Sequence, residues 1–266
     1  KNLYVMDLPQ VKSEKGREVL KSEYWRFKEE MEKLSGVKID AERLKKGIDT
    51  VNAKRQAVHR LSRLRNADPA PISGLDSLLI NQVYFYDDPA RFTSSVNKIC
   101  DEIEERISAR NGVFPEGAPR ILLSGCPMAV PNWKLPWIIE SSGAVIVGEE
   151  SCIGERGTRN LVETSSDSVE GMIEALVNRY FDINCAIYTP NPGRLDNIKT
   201  MKNDYKVDGV IHYGLQFCQP YQIESIPVEK TLEQMSVPTL RIDTDYSMED
   251  VGQLKTRVEA FIERIK

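Results

Sequence analysis

From Arg120 onward the period of the apolar residues changes, and that change constrains the fold more than any other feature of the chain. Residues 121–123, 144–147, 183–188, 207–213 and 238–242 are short apolar runs, each followed by a stretch that reads as helix. Runs that lack polar alternation suit strands covered on both faces, as in a parallel sheet with crossover helices on either side. The expected fold is α/β: a Rossmann-like parallel sheet domain, closed by a last helix over 247–265 and preceded by a helical region. Within it, residues 120–152 read as strand, cysteine-bearing loop, helix, strand and a second cysteine-bearing loop. The rest of the chain is arranged about that stretch.

Upstream the spacing is helical. Leu20, Tyr24, Phe27, Met31 and Leu34 recur at intervals of four and three, which predicts a helix with a core-facing stripe that stops at Gly36. A second helix is expected from the cap Asp40 to Asn66, with Leu44, Ile48, Val51, Val58, Leu61 and Leu64 on its apolar side. Its other face is rich in Lys and Arg and reads as a solvated surface or as a docking face for an acidic partner or a CoA phosphate; His59, among these charges, reads as exposed. Prolines at 69 and 71 break the helix, and Ser73 with Asp76 forms a capping box for the next one. Asp87-Asp88-Pro89 opens another, in which Val96, Cys100, Ile103 and Ile107 share a stripe, so Cys100 reads as a small buried hydrophobe. The Pro/Gly cluster that follows divides the chain into 1–112, a linker at 113–119, and the α/β domain at 120–266. The opening NLYVMDLP reads as a strand arriving from something already folded, so the chain is expected to be the C-terminal remnant of a two-domain protein.

Composition removes several classes of function. With 36 Lys and Arg against 40 Asp and Glu, the formal net charge is −4, and no basic run stands beside an aromatic platform, so no nucleic-acid partner is expected. No apolar run approaches the roughly 20 residues that span a bilayer, and the cytoplasm is the expected compartment. Five cysteines, an odd number in a chain of this size, argue against a secreted disulfide framework and leave metal or redox roles open. Neither GxxxxGK[ST] nor a GxGxxG after a strand is present, so ATP would not be bound by those devices.

Ligands of open parallel sheets collect beyond the carboxyl ends of the strands. Cys126, Cys152 and Cys218 each fall just past a predicted strand, so three separate loops would bring thiols to one edge. Such a set lacks the paired spacing of a closed zinc site and suits an iron–sulfur cubane held by three cysteines with one iron open. The alternative is three inert thiols that fall at strand ends by chance. Cys185, in NCAIYTPN, is core if its strand continues and a further ligand if the strand stops early. Gly125, Gly148, Gly154 and Gly157 flank the cysteine loops and would let the backbone approach a bulky inorganic group. Glu149, Glu150, Glu155 and Arg156 surround Cys152; one carboxyl could deliver protons during reduction while Arg156 balances charge, or all could be an exposed mixed-charge loop. His212 reads as a hydrogen-bonded core histidine.

LLSGCPMAVPNWKLPWIIESSGAVIVGEESCIG, NCAIYTPN, KVDGVIHYGLQFCQPY and LRIDTDYSMEDVGQLKTRVEAFIE resemble the C-terminal half of the 2-hydroxyacyl-CoA dehydratase component D family. Within it the double-cubane cluster proteins are most similar, and DPAPISGLDSLLINQVYFYDDPARF extends the resemblance over nearly the whole chain. The resemblance implies two Rossmann-like domains with a helical insertion and an iron–sulfur centre, either a 4Fe–4S cubane or a double-cubane 8Fe–9S cluster. It also implies a separate ATP-hydrolysing iron–sulfur activator that injects low-potential electrons, and a homodimer or a sister subunit. One cubane would be held by Cys126, Cys152 and Cys218. Cys126 favours the double-cubane subgroup, reductases of small unsaturated molecules, over the dehydratases, which form a ketyl radical on an acyl-CoA. Family members carry further cysteines in an N-terminal domain, including a TTCDG-type loop, that has no counterpart in these 266 residues. Three readings follow: an iron–sulfur reductase component, a dehydratase subunit, and a non-catalytic α/β scaffold or binding module.

Overall fold

Four of the five apolar runs become strands. β1 (Arg120–Gly125), β2 (Val145–Glu150), β3 (Gly209–Leu215) and β4 (Thr239–Thr244) pair in the order β2-β1-β3-β4, every pair parallel. This is a computed structural model, and it describes residues 3–188 and 190–266. β1 and β2 are buried along their whole length, which is why their sequences show no polar alternation. From β1 the chain runs outward to β2 and then returns to the opposite side of β1 as β3. At such a reversal the loops part and leave a crevice beyond the carboxyl ends of the strands.

Both faces of the sheet are covered. On one, α5 (Lys134–Ser141) and α10 (Val251–Ile265) lay Leu135, Ile138, Val258 and Phe261 on Ile121, Leu123, Ile211 and Ile242. On the other, α8 (Pro192–Asp204) and α9 (Gln219–Gln234) bring Ile198, Met201, Val228 and Leu232 to Leu122, Val145, Val147 and Val210. Lys134, at the start of α5, is buried and donates to Thr244 Oγ1, Ser247 O and Asp250 Oδ1 at 2.7, 2.7 and 2.6 Å. That bond set ties the loop after β1 to the loop after β4.

The helical region is built on the caps its sequence advertises. α1 (Glu14–Ser35) ends at Gly36, whose φ of 69° belongs to the left-handed region that glycine enters at least cost. α2 (Ala41–Leu64) begins where Asp40 Oδ1 accepts from Arg43 N at 3.0 Å, and α3 (Gly74–Val83) where Ser73 Oγ accepts from Asp76 N at 3.0 Å. α4 (Pro89–Ser108) has Asp88 as cap and Pro89 in its first turn. Ala57, Val58 and Leu61 of α2 close on Phe92, Val96, Cys100 and Ile103 of α4. Cys100 is fully buried there, and burial pushes its thiol up to about 11, so it is packing material. Between β2 and β3 lie the single turn α6 (Glu155–Thr158) and α7 (Val169–Phe181), whose Ile173 and Val177 meet Leu20 of α1.

Several expectations fail, each for a packing reason. Residues 183–188 form no strand: Tyr188 N bonds back to Cys185 O at 3.1 Å, and Asn191 Nδ2 donates to the same carbonyl at 2.8 Å, so the segment turns instead of extending beside β2. Residues 3–9 of the opening run pair with no strand and leave Leu3, Val5 and Leu8 exposed; Lys1 and Asn2 lie outside the described residues. The stripe on α1 is only half a core stripe, because Leu20 is buried whereas Phe27 and Leu34 run past α7 into solvent. The charged face of α2 is not simply solvated, since Lys54, Arg55 and Arg65 are buried. His59 is not free either; its Nε2 lies 2.6 Å from Thr158 O. No helix of the described residues is long and apolar enough to cross a membrane.

At Gly74 the helical region lies tight against the sheet. A Cβ there would lie 2.5 Å from Ile146 Cβ and 2.9 Å from Ile146 O of β2. Neither atom can retreat without moving the strand. Gly74→Ala should therefore lower unfolding free energy by about 1–3 kcal/mol, as expected of overpacking, measured by urea titration, while the same change at Gly47, with nothing near its Cβ position, should cause no loss.

Candidate functional site

The site begins where β1 stops. Gly125 has φ of 118°, and a Cβ on it would lie 2.0 Å from the Tyr213 carbonyl oxygen, so only glycine lets β1 cross this close to β3 as it leaves the sheet. Cys126 follows, its amide donating to Tyr213 O at 2.9 Å while its sulfur accepts from Leu215 N at 3.4 Å. It is thus pinned over the crevice between β1 and β3. Cys218 occupies the N-cap position of α9 just past β3, and its thiol neighbours that of Cys126. Burial is the main cause that pushes the Cys126 thiol up to about 12.

A second pair of thiols lies beyond β2. Cys152 sits in the turn after Glu150 and neighbours Cys185 in the loop before α8. Donation from Cys185 is the largest reason the Cys152 thiol is lowered to about 6; burial opposes it, and Arg156 and Tyr221 assist. Cys185, holding the shared proton, is raised. The Arg156 guanidinium, 3.6 Å from its sulfur, favours the thiolate of Cys152, the form that binds metal. The structure gathers Cys126, Cys152, Cys185 and Cys218 as two pairs; among the described residues no three His, Cys, Asp or Glu side chains converge on one point.

Beneath the thiols lies a buried polar network. Glu150, 2% exposed at the end of β2, accepts from Arg156 Nε at 3.0 Å, from Arg194 Nε and Nη2 at 3.1 and 3.0 Å, and from Ser124 Oγ at 2.9 Å. Burial would raise its carboxyl, but the two guanidinium groups outweigh burial and lower it. Arg194 Nη1 donates onward to Glu224 Oε2 of α9 at 3.2 Å. Arg156 Nη1 donates to the Tyr221 hydroxyl and lies 3.6 Å from Cys152 Sγ. Tyr221 is flanked by both arginines, whose guanidinium carbons are 5.6 and 5.3 Å from its ring centre. His212 Nε2 lies 3.3 Å from the Tyr221 carbonyl, and burial lowers this histidine to about 4, so it is neutral and braces the first turn of α9.

The other residues singled out from sequence fall as follows. Glu149 is not at the thiols; both its oxygens take 2.7 Å bonds from Arg65 of α2. Gly148 lies within β2, where a Cβ would touch Leu122 and Met201 at 3.2 and 3.3 Å, and Gly154 lets its loop pass over Glu149 O, 2.1 Å from a built Cβ. The carboxyl that holds a proton is Glu155, raised to about 7 chiefly by burial and lining a cleft with His59, Arg63, Arg159 and Asp204. Arg194, Glu224 and Ser124 carried no sequence signal as site residues. Tyr221 lay in the QFCQPY run, three residues past Cys218, one helical turn away.

The fold defines the class: an α/β protein with a parallel sheet and thiol-bearing loops beyond its switch point. The pattern of the 2-hydroxyglutaryl-CoA dehydratase, D-component family matches residues 1–265. The chain is 34% identical over 272 residues to a protein of Escherichia coli (strain K12) named as a candidate dehydratase subunit, YjiM, with all of this chain and 68% of that one covered. It is 28% identical to the (R)-phenyllactyl-CoA dehydratase beta subunit of Clostridium sporogenes, covering 96% of this chain and 65% of that one. To one subunit of the benzoyl-CoA reductase of Thauera aromatica it is 21% identical, over 98% and 66% of the two chains. The chain belongs to the 2-hydroxyglutaryl-CoA dehydratase D-component family. It spans about two thirds of the length of these curated relatives.

Two measurements test this electrostatic design. Arg65→Ala should cost about 3–5 kcal/mol, because Glu149 is left buried without a partner, and Arg65→Met with Glu149→Leu should restore most of the loss in the same urea titration. Glu155 binds its proton more tightly folded than unfolded, so stability should fall as pH rises from the ordinary carboxylate range to about 7 and level off above. Glu155→Gln should flatten that decline in melting curves taken from pH 5 to 8.

Proposed function

We propose that this chain supplies thiol ligands to the iron–sulfur centre of a reductase component in its family, of the double-cubane type. The observation that carries the reading is the gathering of four thiols from four loops at the carboxyl edge of the sheet, one pair over the β1/β3 crevice. The donor set fits the group: thiolates are the usual donors to iron–sulfur clusters, and Arg156 stands 3.6 Å from Cys152 Sγ, where its guanidinium favours the thiolate. Cys126, Cys152, Cys185 and Cys218 are the residues that would hold it, with Gly125 and Gly154 keeping the loops close. When bound, such a cluster supplies one-electron chemistry at low potential.

The chain's own residues do the rest. Buried Met128 and Tyr213 pack beside Cys126 and exclude water from its sulfur. Glu150, held by two arginines, fixes the loop that carries Cys152 and stays ionised, so it positions and does not shuttle protons; Glu149 is taken up by Arg65 away from the thiols. Glu155 holds a proton near neutral pH in a cleft. We infer further that electrons come from an ATP-hydrolysing activator, that residues 113–119 join the α/β domain to the helical part, and that the assembly is completed by a second copy or a sister subunit.

A second reading, a subunit of a 2-hydroxyacyl-CoA dehydratase, is favoured by the identity to the phenyllactyl-CoA dehydratase beta subunit. Iron and acid-labile sulfide per chain, measured after anaerobic reconstitution, test both readings against a scaffold. Bound iron lost in Cys126→Ser, Cys152→Ser and Cys218→Ser but kept in Cys100→Ser is the expected result; an iron-free wild-type chain would favour a non-catalytic module. Tight binding of a 2-hydroxyacyl-CoA thioester to the loaded protein would move the assignment to the dehydratase.

A further inference from the structure

Between α2, α6 and α8 lies a cleft of about 200 Å³ that takes no part in the thiol edge. His59, Ser62 and Arg63 line it from α2, Glu155 and Arg159 from α6 and its end, and Asp204 from the end of α8. The neighbouring arginines are committed elsewhere: Arg60 to Asp101 and Glu104, Arg65 to Glu149, and Arg156 to Glu150. Among the described residues, Arg63 and Arg159 form no ion pair, and the side chains of Ser62, Glu155 and Asp204 form no hydrogen bond. Burial lets Glu155 keep its proton near neutral pH. His59 is lowered chiefly by burial, so it is neutral, and its Nε2 is taken by the Thr158 carbonyl. Asp204 is then the single anion of the cleft against two guanidinium groups, and the balance is positive.

We propose that this cleft is a binding site for a tetrahedral oxyanion, either inorganic phosphate or the phosphate end of a monoester, held between Arg63 and Arg159 with the Ser62 hydroxyl as a further donor. Guanidinium groups suit such a ligand because each presents paired N–H donors in a fixed plane. Glu155, while it holds its proton, adds an O–H donor instead of a repelling charge. A cation would meet two guanidinium groups, and an apolar ligand would strip them of water without offering a partner. The cleft is smaller than the pockets that enclose whole drug-sized molecules, so a monoester would leave its organic part outside. This site does not depend on any cluster. Its place is nonetheless telling: α6 sends Arg156 toward Glu150 and Cys152 and Glu155 toward the cleft, so a bound anion ties α2 to the segment behind the Cys152 turn.

Calorimetric titration of the whole chain with inorganic phosphate and with phenyl phosphate, at constant ionic strength and just below neutral pH, tests the proposal. The expected result is saturable binding that weakens about tenfold or more in Arg63→Gln and in Arg159→Gln and is unchanged in Lys46→Gln. Lys46 is an exposed cation on the same helix with no bond of its own side chain, so its variant reports unspecific attraction. Arg63 is exposed and Arg159 half-buried, so neither change opens a cavity in the core. Asp204→Asn removes the opposing charge and should tighten binding, a gain that misfolding cannot produce. Tighter binding of phenyl phosphate than of phosphate supports the site and marks its occupant as an ester; the reverse order supports it and marks free phosphate. No saturable binding of either anion, or a loss in Lys46→Gln equal to that in the arginine variants, would overturn the proposal.

Discussion

A carboxylate with no access to water governs the arrangement of the site. Glu150 ends β2 at a depth where an unpaired charge would cost several kcal/mol, and it is ionised only because Arg156 and Arg194 hold both its oxygens. The two arginines come from different segments, α6 just after Cys152 and α8 just after Cys185. Neutralising one buried charge therefore fixes two cysteine loops at once. Arg194 reaches on to Glu224 and Ser124, so α9 and β1 are drawn into the same set of bonds. A network of this kind is weak evidence for net stability, but it specifies position, which a thiol site needs more.

The second organising element is the sheet's reversal of direction. Because β2 and β3 lie on opposite sides of β1, the loops after β1 and β3 open a crevice, and these loops carry Cys126 and Cys218. Gly125 makes that possible by allowing β1 to pass within van der Waals contact of the Tyr213 carbonyl. The helical region enters through Arg65, which crosses from α2 to the end of β2 and takes up Glu149. Adjacent carboxylates on β2 are thus divided between two partners: Glu149 binds the helical region to the sheet, and Glu150 organises the thiols. Arg156, bonded to Glu150 and 3.6 Å from Cys152 Sγ, then carries the order of the buried network out to that thiol.

Much of this was legible in residue order. Capping residues Asp40, Ser73 and Asp88, the stop at Gly36, and four of the five strands follow from local rules of donors, φ angles and period. That Cys126, Cys152 and Cys218 share an edge follows from strand ends in a parallel sheet. Other features were not legible. The segment around Cys185 is apolar enough for a strand, yet its backbone bonds turn inward, and apolar content alone does not distinguish those outcomes. Glu149, Glu150 and Glu155 stand within seven residues and look alike in sequence, whereas burial and the nearest guanidinium give them three different roles.

The sequence by itself determined the fold class, the positions of most elements and that Cys126, Cys152 and Cys218 fall at strand ends, because each depends on local period and on the order of strands. Only the tertiary structure decided which thiol neighbours which, which carboxylate is sealed and which keeps a proton, and that Arg156 links the charge network to Cys152. Those properties depend on Coulomb interactions between groups as far apart in sequence as Arg65 and Glu149, and on how much water burial removes between them. Spacing along the chain does not encode either quantity.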